Sequence, residues 1–199
     1  IYNVVYTTEG APVVGTGLLA VREVATWLRH PTALNPVEGG FERVYGYGVS
    51  QTGRMLRHFV HLGLNLDEEG RPVYDGLLPH VAGGRRGEFN HRFAQPSAQP
   101  PPGFGQLFPF ADAETVDPFS GRKDGLLRRQ RSLGAVPNII YTNSSAEYWR
   151  GDAALIHTDL ETMGDAPESE HVRRYHFAGT QHGPGVFPPM VARPMDSLK

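Results

Sequence analysis

The stretch that most constrains this chain is VYGYGVSQTGRML, Val44 to Leu56. An apolar run spaced by Gly46 and Gly48 ends at Ser50, and Met55, Leu56, Phe59 and Val60 then return at helical spacing. A strand therefore feeds a helix through a turn of a residue or two, with small residues on both sides of one serine. Such a unit belongs to α/β architectures, in which ligands sit beyond the carboxyl ends of parallel strands.

Three chemistries use a glycine-rich turn of this kind. A dinucleotide-binding G-x-G-x-x-G needs a third glycine where Gln51 stands, so it fails. A phosphate-binding P-loop has its glycine spacing at Gly48 and Gly53, but Arg54 and Met55 occupy the positions of Lys and Ser or Thr. A thioether cannot replace a hydroxyl on magnesium, a hard cation that takes oxygen ligands. The third is the nucleophile elbow, G-x-S-x-G, which lifts a serine Oγ above the sheet. Gly48 and Ser50 fit it, whereas Thr52 stands at the second glycine position and Gly53 comes one residue later.

The remaining chain repeats the pattern of strand and helix. IYNVVYT, Ile1 to Thr7, reads as a first strand, and Leu18 to Arg29 as a helix ended by HPTALNP. FERVYGYGV is the second strand, with QTGRMLRHFVHLG as its helix, and GLLPHVAGG is the third. VPNIIYTN is the fourth, GDAALIHTDLET a short helix, and HVRRYHFAG the fifth. Between the third and fourth strands, residues 85–136 are polar and rich in Pro and Gly, yet carry Phe93, Phe104, Phe108, Phe110 and Phe119. A connection of that length reads as a lid-like, substrate-facing excursion or as a loop covering the core. The expectation is one α/β domain over residues 1–199 with a mainly parallel sheet.

Composition excludes several classes. With 19 basic and 21 acidic side chains the net charge is −2, so a nucleic-acid partner is not expected. The short runs GGRR and LLRRQR read as solvated surface. No apolar run approaches the roughly 20 residues of a membrane-spanning helix. The absence of cysteine removes disulfides, thiolate metal sites and a Cys nucleophile together. No H-E-x-x-H or clustered ligand spacing appears, so neither a metal nor a cofactor is expected.

An elbow serine needs a base and an acid, in the chain order Ser, acid, His, each at the end of a strand. His182, in AGTQHGPG, follows the last strand, and Glu147, in TNSSAEYW, follows the one before it. Asp152 is the alternative acid; Glu147 could instead be an ordinary helix-start carboxylate. His157, His171 and His176 fall before or within the last strand and are read as structural. The Gln51 N–H is the candidate oxyanion donor, while Arg54, Tyr148 and Trp149 are candidates for substrate contact, with Arg85 and Arg86 as further cations.

The blocks YGVSQTGR, NSSAEYW and FAGTQHG together resemble the α/β-hydrolase superfamily, and within it a bacterial group of α/β-hydrolase-domain proteins. The resemblance covers nearly the whole chain. Glucuronoyl esterases are similar at a greater distance, pairing an elbow serine with a basic residue after it and a Glu acid. The resemblance implies a serine hydrolase of small-molecule or glycoconjugate esters with Ser50, His182 and Glu147 as its triad. It also implies a secreted or periplasmic setting. Members usually have about eight strands, so five strands here imply that the first ones and an oxyanion loop are absent. That absence would be supplied by an N-terminal half or a homo-oligomer partner, or would leave a catalytically inactive binding fold or fragment as the alternative.

Overall fold

The computed structural model describes residues 7, 9–10, 16–35, 37–87, 89 and 108–183. Helix α1 spans Thr16–Arg29, strand β1 Tyr45–Val49, helix α2 Gln51–His61 and strand β2 Gly76–His80. A two-stranded hairpin follows, β3 Thr115–Val116 with β4 Lys123–Asp124, and then helix α3, Arg128–Leu133. Strand β5 is Asn138–Ser144, helix α4 Ser145–Arg150, helix α5 Ala154–His157 and strand β6 Val172–Phe177.

The expected α/β fold with a parallel sheet is what forms. Strands β1, β2, β5 and β6 make one sheet in that order, and each neighbouring pair is parallel. Parallel strands in consecutive order bring all four carboxyl ends to one edge. The turns after Val49, His80, Ser144 and Phe177 therefore crowd together there, and the first strand expected, Ile1 to Thr7, falls outside the described residues apart from Thr7.

The core lies between the sheet and α2. Phe59, Val60, Leu77, Ile139, Tyr141 and Val172 are all buried there. In β1, the end strand of the sheet among the described residues, the alternate residues Gly46 and Gly48 face inward, while Tyr45 and Tyr47 are exposed. Gly46 is small because a Cβ there would meet the Leu77 side chain at 2.6 Å. Packing density in a protein interior leaves no room for that methyl group.

Parts of residues 85–136 contribute to the core, while Val116, Phe119 and Leu133 are exposed. Leu126 and Leu127 are fully buried, and Phe108 and Phe110 form a small cluster of their own with Leu155 packed against it. This segment is held against α2 by two buried arginines. The Arg57 guanidinium donates to the Gly84 carbonyl at 2.9 Å and to the Phe110 carbonyl at 2.6 Å, and lies over the Tyr141 ring. Arg86 donates to the Phe108 carbonyl, to His58 Nδ1 at 3.2 Å and to His61 Nδ1 at 3.1 Å. Burial first, then Arg57 and Arg122, lower the Arg86 pKa to about 10, so it stays a cation at neutral pH. Residues 88 and 90–107, including Phe93 and Phe104, lie outside the described residues.

Two boundaries differ from the sequence expectation for physical reasons. The third strand stops at His80 because Val81 takes a positive φ of 43° and leaves the extended conformation. The helix expected over 151–162 is split. Capping at Ser144 starts α4 directly after β5, and Asp152, at φ 59°, interrupts the helix before the single turn of α5.

Candidate active site

Ser50 occupies the one-residue turn between β1 and α2. Its backbone has φ 54° and ψ −113°, a conformation that a non-glycine residue adopts only when its surroundings dictate it. Those surroundings are two glycines and one threonine. A Cβ on Gly48 would lie 2.6 Å from the Thr52 carbonyl oxygen and 2.8 Å from the Gly53 nitrogen. A Cβ on Gly53 would lie 2.9 Å from the Ala82 methyl and 3.0 Å from the Gly48 oxygen. The close approach that sequence comparison places two residues after the serine is thus made three residues after it, by Gly53.

Thr52 has a different task. Its hydroxyl accepts from the Val49 N–H at 2.8 Å and donates to the Val49 carbonyl at 2.9 Å, closing both backbone groups at the end of β1. The Ser50 N–H donates to the His80 carbonyl at 2.9 Å, and the Ser50 carbonyl accepts from the Arg54 N–H at 2.9 Å. With its own N–H tied to β2, the serine is fixed to the sheet. Gln51, the first residue of α2, carries one of the N–H groups that a helix start leaves without an intrahelical partner.

Two strands away, β5 runs into α4 through Asn143, Ser144, Ser145 and Glu147, and each of these side chains has a defined bond. Asn143 Oδ1 accepts from the Gly83 N–H at 2.9 Å, tying the β5 end to the β2 loop. Ser144 is the helix N-cap, its Oγ accepting from the Ala146 N–H at 3.1 Å. Glu147 completes a capping box: its Oε2 accepts from the Ser144 N–H at 2.7 Å and from the Ser144 hydroxyl at 2.5 Å. Glu147 is therefore the helix-start carboxylate that the sequence allowed, but only through one of its two oxygens.

The other oxygen meets His182. Nδ1 of His182 lies 2.5 Å from Glu147 Oε1, joining residues 35 apart in sequence that follow the neighbouring strands β6 and β5. An ionised carboxylate only accepts, so Nδ1 carries the proton and Nε2 presents its lone pair. Glu147 is 4% exposed. Burial pushes its pKa up, but the Ser144 hydroxyl, His182 and the Ser144 N–H outweigh that and hold it below the usual Glu range. The loop carrying His182 is anchored by the Gly179 N–H, which donates to Ser145 Oγ at 2.8 Å. The imidazole itself is half exposed. Among the described residues no hydrogen bond joins Ser50 Oγ to His182.

A cavity of about 320 Å³ opens beside this pair, lined by Arg54, Arg85, Glu147, Arg150 and His182 among others. Asp152, the alternative acid, does not face His182: it is bonded to Arg85, whose Nη2 also donates to the Arg150 carbonyl at 3.1 Å. The Arg85 loop approaches closely because Gly83 and Gly84 pass the Gly151 and Asp152 carbonyls, where a Cβ would sit at 2.3 Å and 2.2 Å respectively. Arg86 points away, into the clamp on α2. The Tyr148 ring packs at a tilt against His176 at 4.9 Å and His157 at 6.0 Å, and Trp149 is 79% exposed; neither lines this cavity. His171 sits apart, 3.4 Å from Glu170.

Ser144, Ser145 and Thr52 are the supporting residues that a motif search passes over. The signal for the first was present as S-x-x-E, the capping-box spacing from Ser144 to Glu147. Among the described residues, no group of three or more acidic, His or Cys side chains is placed to hold a metal, and no helix is long and apolar enough to cross a membrane.

Comparison with known proteins adds the family. No curated protein and no solved structure matches the chain. A family model described as Alpha/beta hydrolase domain matches residues 2–198, nearly the whole length, in keeping with the parallel sheet and its crowded carboxyl edge. On that match the chain belongs to the alpha/beta hydrolase domain family.

Proposed function

We propose that this protein is a serine hydrolase that cleaves carboxylic esters through an acyl-enzyme, with Ser50 as nucleophile, His182 as base and Glu147 as acid. The observation that carries the reading is the Glu147–His182 hydrogen bond at the same sheet edge as a serine held in a strained strand-to-helix turn. A histidine given its tautomer by a buried carboxylate, above a parallel sheet and beyond such a serine, is the arrangement nucleophilic catalysis requires.

The Ser50 hydroxyl attacks the ester carbonyl carbon, forming the new C–O bond while His182 Nε2 takes its proton. Glu147 holds Nδ1 and balances the imidazolium charge. The tetrahedral oxyanion is met by the Gln51 N–H at the positive end of α2. Collapse breaks the bond to the alkoxy oxygen, which leaves with the proton from His182. Water, deprotonated by the same nitrogen, then releases the acid and restores the serine. Bonds between a nucleophile and its base are commonly long in the free state and tighten only with substrate, so the open Ser50–His182 gap fits a resting enzyme. Trp149, exposed beside Arg150, offers apolar surface to an ester's hydrocarbon part. The bond of Glu147 Oε1 to His182, with Asp152 engaged by Arg85, supports Glu147 and not Asp152 as the acid of this reading.

Hydrolysis of 4-nitrophenyl esters by wild type and Ser50→Ala tests the proposal. The variant should lose roughly 10⁴-fold or more in kcat, as removal of a triad nucleophile does elsewhere. Ester turnover that survives at the wild-type rate in Ser50→Ala removes the serine from the mechanism.

A further inference from the structure

Three arginines line the cavity beside His182, and among the described residues one of them has a carboxylate partner. Arg85 is paired with Asp152. Glu147, the acidic side chain in the lining, has both oxygens engaged, Oε2 by Ser144 and Oε1 by His182. Arg54 is half-buried, and among the described residues neither its guanidinium nor that of Arg150 has a hydrogen bond or ion pair. A guanidinium stripped of part of its water and given no counter-charge is unfavourable unless something fills the role. Burial, and then the neighbouring Arg85, lower the Arg54 pKa, which is the electrostatic sign of an uncompensated cationic pocket.

We propose that this cavity is an anion subsite, and that the substrate is an ester bearing a second, ionised carboxylate that Arg54 and Arg150 receive. The inference rests on the ester-hydrolase reading for its reaction and on the cavity for its charge. Arg54 follows Ser50 by one turn of α2, roughly 6 Å along the helix axis, so the carboxylate lies only a few bonds from the scissile carbonyl. The planar guanidinium fork matches a carboxylate in two parallel hydrogen bonds, which makes arginine better suited here than lysine. Arg85 already carries a carboxylate and supplies positive potential and a fixed wall.

Two matched pairs of esters test this. Mono-4-nitrophenyl adipate against 4-nitrophenyl hexanoate places the charge on the acyl side, and 4-acetoxybenzoate against phenyl acetate places it on the alcohol side. At low salt the anionic member of one pair should be favoured in kcat/KM by about tenfold or more, as for charge-assisted hydrogen bonds in general. Added salt should shrink the preference. The double variant Arg54→Gln/Arg150→Gln should bring the ratio toward one, and Arg54→Lys/Arg150→Lys should restore part of it. Equal rates for charged and neutral esters in both pairs overturn the subsite and leave the hydrolase reading standing. If no ester is cleaved, the hydrolase reading fails, and the subsite is decided by calorimetric binding of adipate to the wild-type protein. Binding that disappears in the Gln double variant upholds it, and absence of binding to wild type overturns it.

Discussion

The turn after β1 and the turn after β5 lie at the same edge of one sheet, and they hold their key side chains in opposite ways. At Ser50 the backbone is strained, with φ 54°, and glycines on either side allow the strand and helix to close around it. At Glu147 the backbone is relaxed, Ser144 is extended at φ −93°, and polar side chains do the holding through a capping box and the Gly179 anchor. For the proposed nucleophile, the Ser50 N–H is tied to the His80 carbonyl and the next N–H, that of Gln51, has to stay open to an oxyanion, which leaves steric fit to shape the rest of the turn. A carboxylate that only orients a base can be fixed by its own hydrogen bonds.

The sharpest way to break this contrast is to remove the one atom that the two holding schemes share with the chemistry. Glu147→Gln should lower kcat by about 10³- to 10⁴-fold, because the acceptor that sets the His182 tautomer is lost, as in other triads. Steady-state hydrolysis of a neutral 4-nitrophenyl ester measures it, and a loss under about threefold would reduce Glu147 to a cap.

Next in size are the glycines. Gly48→Ala drives a methyl group against backbone of Thr52 and Gly53, so the turn must shift. Overpacking of that kind costs about 1–3 kcal/mol or more, read from denaturant midpoints. Gly53→Ala meets the Ala82 methyl at 2.9 Å and the Gly48 and His80 carbonyl oxygens at 3.0 and 3.2 Å, so backbone must move there too, but less far than at Gly48, and it should cost less. The reverse ranking would place the tight contact at the wrong residue.

The capped turn predicts a pH signature. Glu147 has a depressed pKa in the folded protein, so its stabilising contribution is present above the unfolded value of about 4.3 and is lost as pH falls through the folded pKa. The stability difference between wild type and Glu147→Gln, followed by urea unfolding, should shrink as the solution is acidified from neutral pH to the Glu range and below. A difference that is flat with pH contradicts the assigned hydrogen bonds.

The smallest effects belong to the supporting hydroxyls. Ser144→Ala removes an N-cap and should cost about 1 kcal/mol. Thr52→Val removes the partner of the Val49 N–H and carbonyl at a residue already exposed among the described residues, so its cost should be smaller still, on the order of 0.5–1 kcal/mol. Thermal unfolding of the two variants ranks them.

How far the sequence told this in advance follows from the range of each interaction. The α/β class and the strand ends were legible because β-branched runs, glycines and helical spacing are local signals, and Ser50, Glu147 and His182 follow from their places after successive strands. Arg57 and His58 were not legible as buried, since their burial depends on the Gly84 and Phe110 carbonyls and the Arg86 side chain, which only the fold brings onto α2. Asp152 stood as the alternative acid in the sequence, and only the fold, by bringing Gly83 and Gly84 close, sets Arg85 against it. Tyr148 sits next to Glu147 in sequence, yet successive residues of a helix point in different directions, and its ring goes to His157 and His176.

The central claim is that Ser50 is an activated nucleophile, and the most direct measurement is intact mass before and after treatment with a fluorophosphonate, with the modified peptide mapped. The account predicts one added phosphonyl group, on Ser50, absent from Ser50→Ala and strongly slowed in His182→Ala. An unchanged mass with the folded protein, or a label mapped to another residue, would contradict it.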